Sequence, residues 1–282
     1  DLESEEELRT RVKERLEQIL GIIEGLTEFL PVSSTGHMIL TMPMLGIDSE
    51  TDPWPTFLYF IQTGAILAVV IYFFRPLVRQ VFNMPPAGVR DHIFTKLVVA
   101  MIPAAAIGIP LNDVAEKYLE KPVPVAIALI LGGAVMVWLE KRYRRTTGPA
   151  FDQITLKQAF LVGLAQCVAI IPGTSRAMAT IMGGLVVGMT GAVAAQFSFY
   201  LAIPTLLGAG ILRIIKHREA LTGDHAQIML IGFVVSFLVA WGVVAAFMRY
   251  IQTKPLWPFA IYRVILGAAV LLWFISRPVS GN

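Results

Sequence analysis

Residues 24–37 read EGLTEFLPVSSTGH. It places glutamates, a proline, hydroxyl residues and a histidine inside an otherwise apolar segment that runs from residue 18 to residue 46. Pro31 breaks a helix because proline lacks an N–H and its ring collides with the preceding turn. Backbone that is not helical is tolerated at membrane depth only where protein or a wet cavity covers it. The segment therefore predicts a helix that enters a membrane protein and turns back.

A second apolar segment, residues 158–190, is interrupted in the same way. Its centre reads Ile171-Pro172-Gly173-Thr174-Ser175-Arg176, which again combines proline, glycine and hydroxyl residues with a charged side chain. Because lipid cannot satisfy the free N–H and C=O groups of either break, the two broken segments are expected to meet inside the helix bundle.

The composition of the whole chain supports a membrane protein. Of its 282 residues, 56% are hydrophobic and 15% are charged, whereas an ordinary globular domain has about a quarter charged residues. The net charge of +3 is small and lies in short basic runs, which favours loops at an anionic membrane face over a nucleic-acid partner. Six segments are long enough, or nearly so, to cross a membrane: 57–74, 93–111, 122–140, 197–215, 228–248 and 258–276.

An internal repeat indicates how these segments are arranged. Residues 130–138 and 265–273 are identical at six of nine positions. Each half contains one broken hairpin and three spans, and an odd number of spans inserts the halves with opposite orientation. We therefore predict an all-α polytopic membrane protein with an inverted-topology repeat, each half a re-entrant helical hairpin plus three transmembrane helices. The predicted single membrane domain consists of a charged N-terminal helix over 1–17, a first repeat over 18–145 and a second repeat over 146–282.

The basic loops predict the orientation. Arg75, Arg79 and Arg90 follow the first span, and the cluster from Lys141 to Arg145 follows the third. Since short cytoplasmic loops carry an excess of Lys and Arg, both regions are expected at the cytoplasmic face, with both termini and the opening of the first hairpin outside.

Glu24 and Glu28 are the first candidates for chemistry. Their spacing of four places both carboxylates on one face of a helix, and ionisable side chains inside an apolar segment are expensive and usually functional. Close carboxylates disfavour each other's ionisation, which suits one of them to proton transfer, whereas a bound divalent cation would keep both ionised. The structural alternative is a pair of carboxylates that snorkel to the interface.

The hydroxyl run that follows can contact a phosphate. Ser33, Ser34 and Thr35 come directly after the proline, and Gly36 permits a close backbone approach, so the turn can present N–H and O–H groups to an anion. Either serine can instead cap a helix. His37 can be a satisfied polar residue, but beside two carboxylates and a hydroxyl run it is a candidate acid, base or nucleophile.

Arg176 is the candidate anion-binding residue of the second break. Its planar guanidinium suits phosphate, and the neighbouring Gly173, Thr174 and Ser175 add further donors. The alternative role is a structural salt bridge to one of the two glutamates.

These motifs resemble a known family. Residues 24–37 resemble the long signature of the bacitracin-resistance type undecaprenyl-diphosphate phosphatases, and residues 172–176 resemble their second motif. The resemblance extends through 62–70, 158–160, 197–199 and 258–263 and covers nearly everything after residue 18. It implies a bacterial inner-membrane phosphatase that converts a C55 isoprenyl diphosphate into the monophosphate and inorganic phosphate. Such an enzyme recycles the cell-wall lipid carrier, confers bacitracin resistance and has its active site facing the periplasm or exterior.

The resemblance also implies roles for individual residues. Glu24 and Glu28 become the acidic pair, with a divalent cation, Mg²⁺ or Ca²⁺, as cofactor. Ser34 becomes the preferred nucleophile, with His37 as rival or as base, and Arg176 clamps the diphosphate. A polar cradle is completed by Ser33, Thr35, Ser175 and Thr180.

Two departures from the family pattern keep alternatives open. Ala177 stands where the family usually has serine, and Gln196 stands where an acidic residue is usual. Loss of a phosphate-binding hydroxyl would leave a non-catalytic protein that binds a lipid diphosphate. Inverted repeats with paired broken helices are also typical of secondary transporters, so a transporter or lipid translocator with a midplane diphosphate site is the main rival to the phosphatase.

Overall fold

A computed structural model describes residues 2–48, 54–83, 85, 88–216 and 224–276, and every regular element within those ranges is helical. The predicted repeats also include 49–53, 84, 86–87, 217–223 and 277–282, which lie outside the described residues. The α-helices are α1 (Leu2–Thr27), α2 (Ser34–Met44), α3 (Trp54–Tyr72), α4 (Phe74–Phe82), α5 (Ile93–Leu119), α6 (Pro122–Tyr143), α7 (Leu156–Gln166), α8 (Arg176–Val186), α9 (Gly191–Lys216), α10 (Asp224–Tyr250) and α11 (Trp257–Ser276).

The membrane prediction is confirmed by helix length and composition. Five of the described helical stretches are long and apolar enough to cross a membrane: α3, α6, Gly191–Gly208 of α9, Met229–Tyr250 of α10, and α11. The sixth predicted span, 93–111, lies in α5, where the apolar stretch found among the described residues is the shorter Ile93–Gly108. The protein is therefore an all-α, multi-pass membrane protein.

The first predicted break is present. α1 ends at Thr27, and α2 begins at Ser34 and packs back against α1, so Pro31 lies in the turn between them. Helix α1 runs without interruption from the predicted charged segment, 1–17, into the apolar segment. The charged part and the start of the site therefore share one rigid helix.

The second break has the same plan. α7 ends at Gln166, a 3₁₀ turn spans Cys167–Ile170, and α8 begins at Arg176 after an irregular turn. Helix α8 packs against α7. A capping box starts α7, because the side chain of Thr155 accepts from Gln158 N while Gln158 Oε1 accepts from Thr155 N. Local sequence signals therefore define both hairpins.

The pair formed by α6 and α11 supports the site from one side. The two helices approach closely at Gly133, where an added Cβ would lie 2.7 Å from Ala260 O. Glu140, in the last turn of α6, accepts from Leu256 N at 2.6 Å and from Trp257 N at 2.8 Å. This buried carboxylate satisfies free N–H groups at the start of α11 and so joins the end of one helix to the beginning of the other.

Candidate active site

The two breaks meet at a polar cavity of about 150 Å³. Both turns contribute to its walls, together with one residue of α3 and one of α9. The lining residues are Glu28, Ser33, Ser34, Thr35, Gln62, Ala169, Ile171, Pro172, Gly173, Ser175, Arg176 and Leu206. The expectation that the broken segments come together inside the bundle is therefore confirmed.

A serine with unusual backbone geometry stands at each break. Ser33 has φ 75° and Ser175 has φ 73°, and they are the non-glycine residues with positive φ in the described part of the chain. Each caps the following helix, with its hydroxyl accepting at 3.2 Å from Gly36 N or Met178 N. Such backbone conformations cost about 1–3 kcal/mol each and persist at sites where the surroundings hold them. The capping role considered for Ser33 is confirmed, and the N-termini of α2 and α8 both border the cavity.

Ser34, Glu28 and Arg176 form a connected chain across the cavity. Ser34 Oγ donates to Glu28 Oε2 at 2.5 Å, and Arg176 Nη2 donates to Glu28 Oε1 at 3.0 Å. The Glu28–Arg176 contact is a largely buried salt bridge between the two broken segments. A hydroxyl, a carboxylate that can accept its proton and a cationic donor are thereby assembled at one place.

Arg176 is held by a second set of contacts from α9. Its Nη1 donates to Ser198 O at 3.3 Å, and its Nε has no hydrogen-bond partner among the described residues. Thr180 Oγ1 donates to Arg176 O at 2.8 Å and lies 2.6 Å from Ser198 Oγ. Thr180 and the buried Thr174 are not among the described cavity-lining residues. The hydrogen bonds of Thr180 join the second break to α9.

Glu24 lies one helical turn before Glu28, whose backbone N–H donates to Glu24 O at 2.9 Å. Both side chains are buried, so snorkelling to an interface was the wrong alternative. Glu24 Oε1 has no hydrogen-bond partner within the described residues. Glu24 is not among the described residues that line the cavity, and both oxygens of Glu28 already have partners. Because Mg²⁺ is commonly bound by one or two carboxylates plus substrate phosphates, the unpartnered oxygen of Glu24 is the ligand atom that this pair offers.

His37 occupies a different position from Ser34. Its Nδ1 lies 2.7 Å from Ser33 O, and its Nε2 lies 2.7 Å from Tyr262 Oη. A carbonyl only accepts, so Nδ1 donates to Ser33 O, and in the neutral ring Nε2 is then the acceptor for the tyrosine hydroxyl. The two rings stack with centroids 5.6 Å apart. His37 is not among the described residues that line the cavity, whereas Ser34 is.

Several residues of the site were not selected from the sequence. Gln62 lines the cavity, Ser198 holds Arg176, Tyr262 contacts His37, and the buried Arg263 donates to backbone carbonyls in both breaks. A signal was available for Arg263, because an arginine within a predicted span is a functional candidate by default. The other three lie in stretches that resemble the family, 62–70, 197–199 and 258–263, but within those stretches only the tertiary contacts show that they belong to the site.

The two departures from the family pattern lie away from the cavity. Ala177 is fully buried among the apolar residues of the core. Gln196 Nε2 donates to Tyr200 Oη at 3.4 Å. Neither is among the described residues that line the cavity, whose polar side chains come from the two motifs and from Gln62.

The fold and the site define a polytopic α-helical membrane protein with a polar cavity between two broken helices. The family model of the bacitracin resistance protein BacA matches residues 17–269. The chain is 43% identical to undecaprenyl-diphosphatase 1 of Chromobacterium violaceum over 254 residues, which are 90% of this chain and 93% of that protein. It is 43% identical to undecaprenyl-diphosphatase of Clostridium tetani over 267 residues, covering 93% and 97% of the two chains. The protein belongs to the family of the bacitracin resistance protein BacA.

Proposed function

We propose that the protein is an undecaprenyl-diphosphatase that removes the terminal phosphate of undecaprenyl diphosphate within this cavity. The carrying observation is the 2.5 Å hydrogen bond from Ser34 Oγ to Glu28, whose other oxygen pairs with Arg176. The names of the similar proteins support the substrate and the enzyme class. In this proposal the reaction regenerates the monophosphate lipid carrier used for the cell wall, and supply of that carrier confers bacitracin resistance.

The first step is phosphoryl transfer to Ser34. Ser34 Oγ attacks the terminal phosphorus, and Glu28 Oε2 takes the hydroxyl proton along the existing hydrogen bond. The bond from that phosphorus to the bridging oxygen breaks, and undecaprenyl monophosphate leaves with its electron pair. The position of Ser34 on the cavity wall supports it as nucleophile over His37, whose Nε2 accepts from Tyr262.

The second step returns the serine to its free form. Water attacks the phosphorus of phosphoserine, the bond to Ser34 Oγ breaks, and protonated Glu28 gives its proton back to Oγ. The oxygen of the attacking water stays on phosphorus; one of the two water protons remains on the inorganic phosphate that leaves, and the other passes to solvent. The same carboxylate thus acts as base in the first step and as acid in the second.

Positive charge around the cavity stabilises both steps. Arg176 borders the cavity while it orients Glu28, and the N-termini of α2 and α8 place free N–H groups at the same walls. Preorganised donors of this kind stabilise charge that develops in a transition state. The strained caps at Ser33 and Ser175 direct these helix ends toward the cavity.

We include a divalent cation, Mg²⁺ or Ca²⁺, held by Glu24 and Glu28, in this proposal. The unpartnered buried oxygen of Glu24 supports it. When bound, such an ion supplies positive charge to phosphoryl oxygens. Glu24 contributes ligand oxygen and negative charge, while Glu28 keeps its hydrogen bond to Ser34.

The test is phosphate release from an isoprenyl diphosphate by purified protein in detergent, with and without chelator. Glu28→Ala serves as the site variant, and Glu14→Ala, on the charged first part of the same helix, serves as its control. We expect release that requires the cation, is retained by the control and is lost in Glu28→Ala. Because transbilayer movement cannot occur in micelles, a folded wild-type protein that binds the lipid and releases no phosphate would overturn the phosphatase in favour of binding or translocation.

We also propose the inverted repeat, with halves at 18–145 and 146–282 in one membrane domain. The matched serine caps at the two breaks support it. So does the antiparallel contact of α6 and α11, which carry the repeated sequence and meet through the end of one and the start of the other. The two hairpins would then open to opposite faces, an arrangement that also keeps lipid translocation as the second candidate function.

For orientation, we propose that the basic loop after α6 faces the cytoplasm and that the catalytic opening faces the exterior of a bacterial inner membrane. Arg144, at the end of α6, donates to Thr253 O at 3.1 Å, so the loops that follow α6 and α10 share a face. Cysteines introduced at Thr147 and Lys254 should therefore both resist a membrane-impermeant thiol reagent in intact cells. Labelling of either one from outside would reverse the orientation.

A further inference from the structure

Arg263 is a buried cation that the proposed reaction does not use. It lies on α11 inside a membrane-spanning helix, and its side chain is fully buried at 0% exposure. A buried charge is costly unless hydrogen bonds compensate it. Within the described residues no carboxylate forms a salt bridge with it, so the guanidinium depends on other partners.

Those partners are backbone carbonyls from three elements. Nη1 donates to Pro31 O at 3.3 Å, and Nη2 donates to Gly173 O at 2.9 Å and to Ala128 O at 3.3 Å. Pro31 lies in the first break and Gly173 in the second, where an interrupted helix leaves carbonyls without their usual acceptor role. One side chain therefore joins both turns of the site and attaches them to α6.

The contacts are placed symmetrically along the chain. Pro31 precedes Ser34 by three residues, and Gly173 precedes Arg176 by three residues. The hydrogen bond to Pro31 O therefore restrains the segment that leads to Ser34, and the hydrogen bond to Gly173 O restrains the segment that leads to Arg176. These two residues are the ones that contact Glu28. Because the fork of a guanidinium is planar and rigid, the two carbonyls are held in a defined relation to each other.

The protein provides space for this guanidinium at a single glycine. An added Cβ at Gly132 would collide with Arg263 Nη2. The adjacent Gly133 faces elsewhere, with an added Cβ 2.7 Å from Ala260 O and 2.8 Å from Val264 Cγ2. A methyl group at Gly132 would thus contact the guanidinium, whereas one at Gly133 would contact the backbone and a neighbouring side chain of α11.

We propose that Arg263 is a positioning residue for phosphoryl transfer, which holds the two breaks so that Ser34 and Arg176 reach the same phosphoryl group. The inference rests on the proposed function. It adds to the catalytic machinery a residue, Arg263, that is not among the described residues lining the cavity. Small displacements of reacting groups have large kinetic effects, since an error of about 1 Å can cost about 100-fold in rate. A general packing role would instead lower stability without a specific loss of turnover.

The test compares Gly132→Ala, Gly133→Ala and Arg263→Lys with the wild type in detergent. Each protein is assayed for kcat and KM with an isoprenyl diphosphate, for thermal unfolding, and for hydrogen–deuterium exchange of segments 28–36 and 171–177. We expect kcat to fall about 10- to 100-fold in Gly132→Ala and Arg263→Lys with a smaller change in KM, and exchange in both segments to accelerate. Lysine keeps the charge but has one nitrogen, which cannot donate to carbonyls in both breaks with the geometry of a fork.

Gly133→Ala adds a methyl group against the backbone of α11, at Ala260 O, and measures the effect of a general displacement of α11 from α6. It should lower the unfolding temperature, with a smaller loss of kcat and a smaller acceleration of exchange in both segments than Gly132→Ala. Equal kinetic losses in the two alanine variants, or wild-type kcat and exchange in Arg263→Lys, would overturn the positioning role. Absence of phosphate release from the wild type would instead overturn the proposed function alone, and the exchange data would still decide whether Arg263 holds the two breaks.

Discussion

The two broken segments use the same backbone device for different chemistry. Each places a serine with positive φ at the start of a helix beside the cavity. The first adds the carboxylate and hydroxyl of Glu28 and Ser34, and the second adds the cation of Arg176. In the proposed mechanism, opposite halves of the chain therefore contribute proton transfer and charge stabilisation, and that mechanism requires the two breaks to be in register.

The largest effect is expected from a comparison of Ser34→Ala with Ser33→Ala, which tests the role of the first break. We expect the first to lower turnover by about 10³-fold or more, because it removes the proposed nucleophile. The second removes a capping hydroxyl and should keep most turnover. Steady-state phosphate release at equal amounts of folded protein measures both. If Ser34→Ala lost less turnover than Ser33→Ala, Ser34 would not be the nucleophile, and His37 or water would take that role.

The contribution of the second break is tested by Arg176→Lys and Arg176→Ala. Loss of one electrostatic stabiliser commonly costs about 10² to 10³ in rate, and we expect this loss for alanine. The turnover of Arg176→Lys should lie between those of Arg176→Ala and the wild type, because lysine keeps the positive charge. It should not reach the wild-type rate, because a single ammonium cannot contact both Glu28 and Ser198 as the guanidinium does.

The control for these arginine variants is Arg142→Lys, at the exposed end of α6, which should behave as wild type. Turnover within threefold of wild type in Arg176→Ala would remove the second break from the chemistry.

A smaller effect should follow from Tyr262→Phe. The change removes the hydrogen bond to His37 Nε2 and leaves the stacked ring. A hydrogen bond contributes about 0.5–1.5 kcal/mol net, so turnover should fall by about tenfold or less. His37→Ala in the same assay gives the full contribution of the imidazole. A loss in Tyr262→Phe as large as that in Ser34→Ala would place His37 at the centre of the reaction.

The smallest expected effects concern the paired caps. Ser33→Ala and Ser175→Ala should each lower the free energy of unfolding by about 1 kcal/mol, because the capping bond to the helix amide is lost. Glycine at either position should cost only a few tenths of a kcal/mol, since it adopts positive φ without strain. Reversible unfolding in mixed micelles measures the differences. Clearly unequal costs at the two serines would show that the breaks are not equivalent in energy.

The breaks and helices could be predicted because their causes are local. Each break combines proline with glycine and hydroxyl residues, whereas Pro43, Pro103, Pro110 and Pro204 stand inside helices, so the local combination and not proline alone marks a break. Long apolar runs form helices in lipid irrespective of their neighbours. A change from charged to apolar composition does not interrupt a helix, and α1 continues through residue 17. The continuation of α1 through that position depends on backbone propensity, which both parts share.

The division of labour within the site could be predicted only in part. The motifs identified Glu28, Ser34 and Arg176, but Ser33 and Ser34 are equivalent in sequence. Their roles differ because the helix start directs one hydroxyl to the backbone and the other to the carboxylate. The contacts of Arg176 with Glu28 and of Tyr262 with His37 join residues 148 and 225 positions apart, which no local pattern specifies.

Composition and the local chemistry of proline, serine and charged residues were enough to predict that this chain folds in a lipid bilayer and is helical. They also predicted the two breaks and the residue types that each break offers. The tertiary structure alone decided which hydroxyl meets the carboxylate, which oxygen of Glu24 stays unpaired and why a buried arginine on α11 is tolerated. Those outcomes depend on the relative placement of helices distant in the chain, since hydrogen bonds form only between groups that packing brings within about 3 Å in a suitable direction.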